Sequence, residues 1–193
     1  KGLHTLSTIK KPKAIGADLY DLYAGKGRLE GEYRELQRVL DSPNVDDDVA
    51  YISDAGTPGI SDPGSKLVNL ARSMGYRVES IPGASAVIAA LSISGFPVNQ
   101  FTFLGFPPTK KGRQTFFASL EEKPETVALY ESKHRIVKTL EQLPKQRKLF
   151  IARELTKLHE SHYTGTAQEV INQLESDSSK GEFVIIMAPQ NWN

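Results

Sequence analysis

Residues Ser53 to Gly64 read SDAGTPGISDPG, with three glycines and two prolines in twelve positions. That density excludes helix and strand and makes a stiff, bent loop. Gly56 and Gly59 let a ligand approach the main chain closely. The amides of such a loop, ahead of a helix start, favour a carboxylate or another anion. A second candidate is IPGASA at 81–86. Ala84 and Ala86 leave space there, and Ser85 places a hydroxyl near a helix start; a planar ligand such as adenosine fits, as does plain packing of a small-residue helix on a sheet. A third is the basic turn Lys110, Lys111, Gly112 and Arg113 after the aromatic run FLGFPP at 103–108. Aromatics beside lysines suit RNA through stacking and phosphate contacts, although a basic loop over core aromatics reads the same. Tyr130 and Glu131 end an apolar run and are followed by Lys133, His134 and Arg135, so Glu131 or His134 is a candidate base. Finally, Ala152, Arg153, Glu154 and Lys157 precede His159, Glu160 and His162. The last three lack the His-Glu-x-x-His spacing and have no cysteine to assist, so no metal site is expected. The nucleophile elbow Gly-x-Ser-x-Gly, the Walker A sequence and Gly-x-Gly-x-x-Gly are all absent.

These residues need strands that end at the loops and helices that begin after them. Val49–Ile52 is a strand candidate before the first loop. Leu67, Val68, Leu70, Ala71 and Met74 give a helix stopped by Gly75. A strand over 76–81 and an apolar helix over 84–93 follow. This alternation predicts a parallel sheet with crossover helices. The break at Gly95–Asn99 marks a boundary, giving an N-terminal α/β domain over 1–97 with the ligand loops and a C-terminal α/β domain over 98–193. In the second domain, strands are expected at 101–104, 126–130, 148–152 and 162–164. Helices are expected at 110–120, 132–143 (with Ser132 as N-cap) and 166–174. The apolar run 183–188 reads as a central strand. The first 30 residues read mostly as loop, with a helical turn near 18–23 and a helix over 29–40.

The chain has 193 residues and no cysteine, which excludes disulfides and thiolate metal sites and fits a cytoplasmic protein. No apolar run approaches the roughly 18 residues of a membrane span. Net charge is only +1. Residues 101–160, however, hold twelve Lys or Arg against seven Asp or Glu, so the middle of the chain suits a phosphate backbone.

Taken in order, the Ser53–Gly64 loop, Pro82-Gly83-Ala84-Ser85, Tyr130 through Arg135, and Arg153-Glu154-Leu155-Thr156-Lys157 resemble the ribosomal RNA small subunit methyltransferase I family. That family lies within the tetrapyrrole methylases, the class III S-adenosylmethionine-dependent methyltransferases. The resemblance covers about Val49 to Ala188. It implies two α/β domains with S-adenosylmethionine in the cleft between them, a homodimer, and 2′-O-methylation of a cytidine ribose in 16S ribosomal RNA of the small subunit. By the same resemblance, Gly56, Thr57, Pro58 and Ile60 stand at the family's Gly-Asp-Pro cofactor loop, with Thr57 replacing its Asp. Ser85 and Ala86 meet the cofactor, and Tyr130 and Ala152 line its adenosine side. The last strand, near Glu182 and Phe183, closes that pocket. Lys110 and Lys111 would neutralise phosphates, and Arg113, Arg135, Arg153 and Lys157 are RNA-facing or structural.

The chain departs from the family at its start. The signatures Thr-Pro-Ile-Gly-Asn-Leu and Glu-Asp-Thr-Arg are not found, so the N-terminal domain is expected to be incomplete. Methyl transfer to a ribose hydroxyl is an in-line substitution in which positioning contributes most; Glu131 and Lys157 are the candidates for removing the hydroxyl proton. A tetrapyrrole methylase and a non-catalytic nucleotide-binding module are the alternatives.

Overall fold

The computed structural model describes residues 6–9, 12–14, 48–53, 55–62, 64–177 and 180–192. The chain divides into two compact units, Lys1–Ala84 and Ser85–Asn193. Among the described residues no helix is long and apolar enough to cross a membrane.

The first unit contains β1 (Leu6–Ile9), β2 (Pro12–Ala14), β3 (Asp48–Ile52), α1 (Ser65–Ser73) and β4 (Val78–Ser80). Two of these strands fall where the sequence reads as loop. They are four and three residues long, flank a lysine pair and include Pro12, so they carry no periodic signal. Proline is tolerated because β2 is the edge strand of the order β2-β3-β1-β4. The expected all-parallel sheet is mixed instead. β3 and β4 do run in the same direction, but β1 lies between them and pairs antiparallel with each; only β2 and β3 pair in parallel. The turn near 18–23 and the helix over 29–40 lie outside the described residues.

Helix α1 shows why Gly75 stops it. The Gly75 amide donates to Arg72 O and the Tyr76 amide to Ala71 O, while Gly75 takes a φ of 83°. This left-handed exit satisfies two of the helix's last carbonyls. Leu67 and Ala71 turn inward onto Tyr51, with Leu70, Met74, Tyr76 and Val78 around them.

The second unit contains α2 (Ala86–Ile93), β5 (Phe101–Phe103), α3 (Arg113–Glu121), β6 (Thr126–Ser132), α4 (Ile136–Leu140), β7 (Leu149–Arg153), β8 (Ser161–Gly165), α5 (Ala167–Ser176) and β9 (Glu182–Met187). The sheet order is β5-β6-β9-β7-β8, with β9 in the middle as its apolar run predicts. β5 and β6 are parallel; the other pairings are antiparallel.

Both faces of this sheet are covered, which explains its unbroken apolar strands. Successive side chains alternate between faces. Val127, Leu129, Leu149, Ile151, Phe183, Ile185 and Met187 meet residues of α3, α4 and α5 in one cluster. Ala128, Phe150, Ala152, Val184 and Ile186 meet Val87, Ala90 and Leu91 of α2 in the other. Helix α2 is therefore part of the second unit, which begins at Ser85. Helix α4 is also shorter than the expected span 132–143. Ser132 is not its N-cap, because Ser132 pairs with Glu182 in the β6–β9 ladder; Arg135 takes the cap position.

Candidate functional site

In the first unit, the Ser53–Gly64 loop bends at two left-handed glycines, Gly56 (φ 71°) and Gly59 (φ 81°). A Cβ built at either one meets nothing within 4 Å. The main chain is thus open to a ligand at both points, and the loop holds itself by its own bonds. Ser53 Oγ donates to Gly56 O at 3.0 Å, and the Ile60 amide donates to Thr57 O at 3.2 Å. Pro58 is buried under the turn, while Ile60 is 48% exposed. The second loop comes to the first, since Thr57 Oγ1 donates to Ala84 O at 3.0 Å. An aspartate at position 57 would lack the proton for that bond, so the threonine gives the loop a tether that a carboxylate cannot.

In the second unit, Ser85 is the N-cap of α2, with its backbone extended and without a side-chain cap bond. Two residues on, the Val87 amide donates to Tyr130 Oη at 3.2 Å. Ala86, Tyr130 and Ala152 gather in the cluster beneath α2. Burial pushes the Tyr130 phenol above its ordinary value, against the Val87 amide that pulls it down. At neutral pH it is an uncharged hydroxyl.

Strand alternation sends Glu131 to the opposite face from Tyr130. There its carboxylate, 1% exposed, is held from three sides. Oε1 accepts from the Ser132 amide at 2.7 Å and pairs with Arg135 Nη2 at 2.8 Å. Oε2 accepts from Thr139 Oγ1 at 2.6 Å. The same hydroxyl accepts from Arg113 Nη2 at 3.0 Å. Sequence reasoning missed Thr139. Its signal is a polar residue three after Ile136 and beside Leu140, on the face of a short helix that turns to the core.

Two of the arginines assigned to RNA or to structure are buried. Arg113 is 8% exposed. It donates to Gln142 Oε1 at 3.0 Å and Pro108 O at 2.9 Å, and its guanidinium lies 4.7 Å from the centre of the Phe117 ring. Arg153 is also buried, with Nε donating to Lys180 O at 2.6 Å and Nη1 3.3 Å from Asp177 Oδ2. Both guanidinium groups are thus engaged by protein partners. Arg135 is partly buried and spans Glu131 and Pro107 O, the latter at 3.0 Å. Lys110 and Lys111 are exposed. A further buried arginine, Arg147, ties Ala188 O, Lys123 O and Glu125 O together at 2.6–2.8 Å.

Lys157 bridges Glu182 at 2.7 Å and Glu154 at 3.2 Å. The Glu182 bond raises its pKa most, burial pulls it down next, and Glu154 adds to the rise, so it is cationic at neutral pH. Burial alone would raise Glu154, but the Glu182 amide and Lys157 outweigh it and hold that carboxyl below its ordinary range. Neither Glu131 nor Lys157 has the geometry of a ready base: one is fully partnered and the other protonated. Glu160 pairs with His162 at 2.9 Å, and among the described residues no group of three potential metal ligands occurs.

The family description Tetrapyrrole (Corrin/Porphyrin) Methylases matches residues 6–171. A ribosomal RNA small subunit methyltransferase I from Synechocystis sp. is 43% identical over 157 residues, covering 79% of this chain and 56% of its own length. One from Hydrogenobaculum sp. is 39% identical over 161 residues, covering 81% of this chain and 70% of its own. The chain thus spans between about half and two thirds of these relatives. Among solved structures, a diphthine synthase matches 83% of this chain and 65% of its own, with a TM-score of 0.58 at 12% identity, a likeness of fold.

Proposed function

Since the chain belongs to the tetrapyrrole (corrin/porphyrin) methylase family, and within it to the ribosomal RNA small subunit methyltransferase I group, we propose that it serves S-adenosylmethionine-dependent 2′-O-methylation of a cytidine ribose in 16S ribosomal RNA. The observation that carries this reading is identity of 39–43% to relatives of that name over about four fifths of the chain. The reading also brings a homodimer, acting in the cytoplasm on the small ribosomal subunit.

The first loop suits the cofactor on its own chemistry. Open main chain at Gly56 and Gly59 admits a bulky ligand, and exposed Ile60 offers it an apolar surface. When bound, S-adenosylmethionine supplies an electrophilic sulfonium methyl group. In the first unit Gly56, Thr57, Pro58 and Ile60 would hold it, with Thr57 fixing the neighbouring loop through Ala84. In the second unit Ser85, Ala86, Tyr130 and Ala152 would contact it, the Tyr130 phenol acting as a neutral hydrogen-bonding group and Ala152 leaving room for a flat ring. Catalysis then rests on positioning the ribose hydroxyl in line with the methyl group. Glu131 and Lys157 support that geometry as ion-paired anchors, and the hydroxyl proton leaves to water. Exposed Lys110 and Lys111 would meet phosphates.

The test is transfer of label from S-adenosyl-[methyl-³H]methionine to small subunits lacking the modification, run beside a precorrin acceptor. Label in the RNA as 2′-O-methylcytidine supports the reading; label in the tetrapyrrole alone replaces it with the sister chemistry of the family.

A further inference from the structure

Resting on the RNA reading above, we infer that Phe106 and the Lys110–Lys111 turn form one preset contact for single-stranded RNA, and that buried Glu131 is its positioning residue. Phe106 is 51% exposed. Its ring is not loose. The β5–β6 pairing runs on past the strand, since the Leu104 amide donates to Ala128 O at 3.1 Å and the Tyr130 amide to Gly105 O at 2.9 Å. Gly105 then turns the chain with a φ of 63°. This lays Phe106 against Tyr130, with ring centres 5.6 Å apart, and Tyr130 rests in turn on Phe103 at 4.9 Å. Part of an aromatic ring therefore faces outward on a fixed aromatic base.

The residues after Phe106 are clamped from below by two arginines. Arg135 Nη1 donates to Pro107 O at 3.0 Å and Arg113 Nη1 to Pro108 O at 2.9 Å. The Arg113 amide also closes the turn onto Lys110 O at 3.2 Å. Both guanidinium groups are referred to one carboxylate: Arg135 contacts Glu131 directly at 2.8 Å, and Arg113 reaches it through Thr139. Glu131 thus fixes the carbonyls on either side of the Pro107–Pro108 bond. What this frame presents outward is a ring and two exposed ammonium groups within six residues. A ring stacks on any unstacked base and ammonium groups neutralise phosphates, which is the chemistry of single-stranded RNA recognition. The positive charge argues against an acidic-residue-poor apolar protein partner.

The probe is a 12-nucleotide single-stranded RNA carrying 2-aminopurine, followed by anisotropy and fluorescence at several salt concentrations. Phe106→Ala is expected to weaken binding by about 5- to 140-fold, the range of one base–aromatic stack, and to abolish the 2-aminopurine quench at saturation. Phe106→Leu, which keeps the apolar contact with Tyr130, behaves as Phe106→Ala; Phe106→Trp restores both signals. Lys110→Ala with Lys111→Ala lowers the salt slope by about 1.4 and keeps the quench, as expected for two lost phosphate contacts. Glu131→Gln reduces the quench at saturating protein, a signature that loss of stability alone does not produce. A Phe106→Leu chain that binds and quenches like wild type overturns the inference. So does a wild-type chain that ignores the oligonucleotide at low salt, which leaves the ring to a protein partner. Methyl transfer with a silent Phe106 refutes only this contact, whereas stacking without any methyl transfer refutes only the proposed activity.

Discussion

Arg113→Ala separates a structural arginine from an RNA-binding one. The guanidinium donates three hydrogen bonds, to Gln142, Pro108 and Thr139, at 2.9–3.0 Å, and lies over the Phe117 ring. Each such bond contributes on the order of 1 kcal/mol net, and the ring contact about 0.5 kcal/mol more. Thr139 keeps its bond to Glu131 and Pro108 is reached by water, so part of the loss is recovered. About 3 kcal/mol remains. For a unit of this size that corresponds to a fall of roughly 12 °C in Tm, read by calorimetry or circular dichroism. Lys110→Ala with Lys111→Ala changes stability by less than about 0.5 kcal/mol, because both side chains are exposed. In RNA binding the order reverses, with the lysine pair lowering the salt slope and Arg113→Ala leaving it unchanged once the protein is folded. An Arg113→Ala chain with wild-type Tm and a reduced salt slope would instead put the guanidinium on the RNA.

Three further outcomes follow from other contacts. Thr57→Val removes the tether to Ala84; it costs under about 1 kcal/mol of stability but weakens S-adenosylmethionine binding several-fold by calorimetry, while Thr57→Ser retains it. Lys157→Met tests the Glu154–Lys157–Glu182 cluster through urea midpoints against pH. The depressed Glu154 stabilises above its ordinary value of 4.5 and loses that contribution as pH falls through its folded value; the raised Lys157 stabilises below 10.5 and loses its contribution as pH rises through its folded value. The gap between wild type and variant, under about 1 kcal/mol for so exposed a lysine, is therefore flat from about pH 5 to 10 and closes at both ends; a gap that widens in acid contradicts the assignment. Thr166→Ala breaks the capping box in which Thr166 and Glu169 serve each other's amides, costing about 1 kcal/mol and roughly 4 °C in Tm.

Much of the second unit was legible because its strands are apolar runs bounded by Gly and Pro. Their pairing directions were not legible. Nothing local in 182–187 says that β9 runs antiparallel to β6 and β7, and the same helix–strand alternation is compatible with either sense. The glycine loop could be read directly, since Gly56 and Gly59 are demanded by their left-handed backbone. The fate of the charges could not. Arg113 and Lys111 look alike in sequence, yet one is buried at the start of α3 and the other exposed, a difference set by Gln142, Thr139 and Phe117 as partners. Strand parity also splits Tyr130 from Glu131: adjacent residues point to opposite faces, so a phenol and a carboxylate that read as one site are two. Helix α4 was overestimated because Ser132, a good cap in isolation, is claimed by the ladder to Glu182.

In the proposed function the open main chain at Gly56 and Gly59 receives the methyl donor. Titration calorimetry of S-adenosylmethionine into this chain and into Gly59→Val tests it most directly. At Gly59 the Cβ meets no protein atom within 4 Å; a β-branched side chain at that left-handed φ adds strain of more than about 1–2 kcal/mol, and affinities are compared for protein shown to be folded by circular dichroism. Saturable one-site heat is expected for the wild type and at least a tenfold weaker affinity for the variant. Equal affinity for the two folded proteins contradicts it.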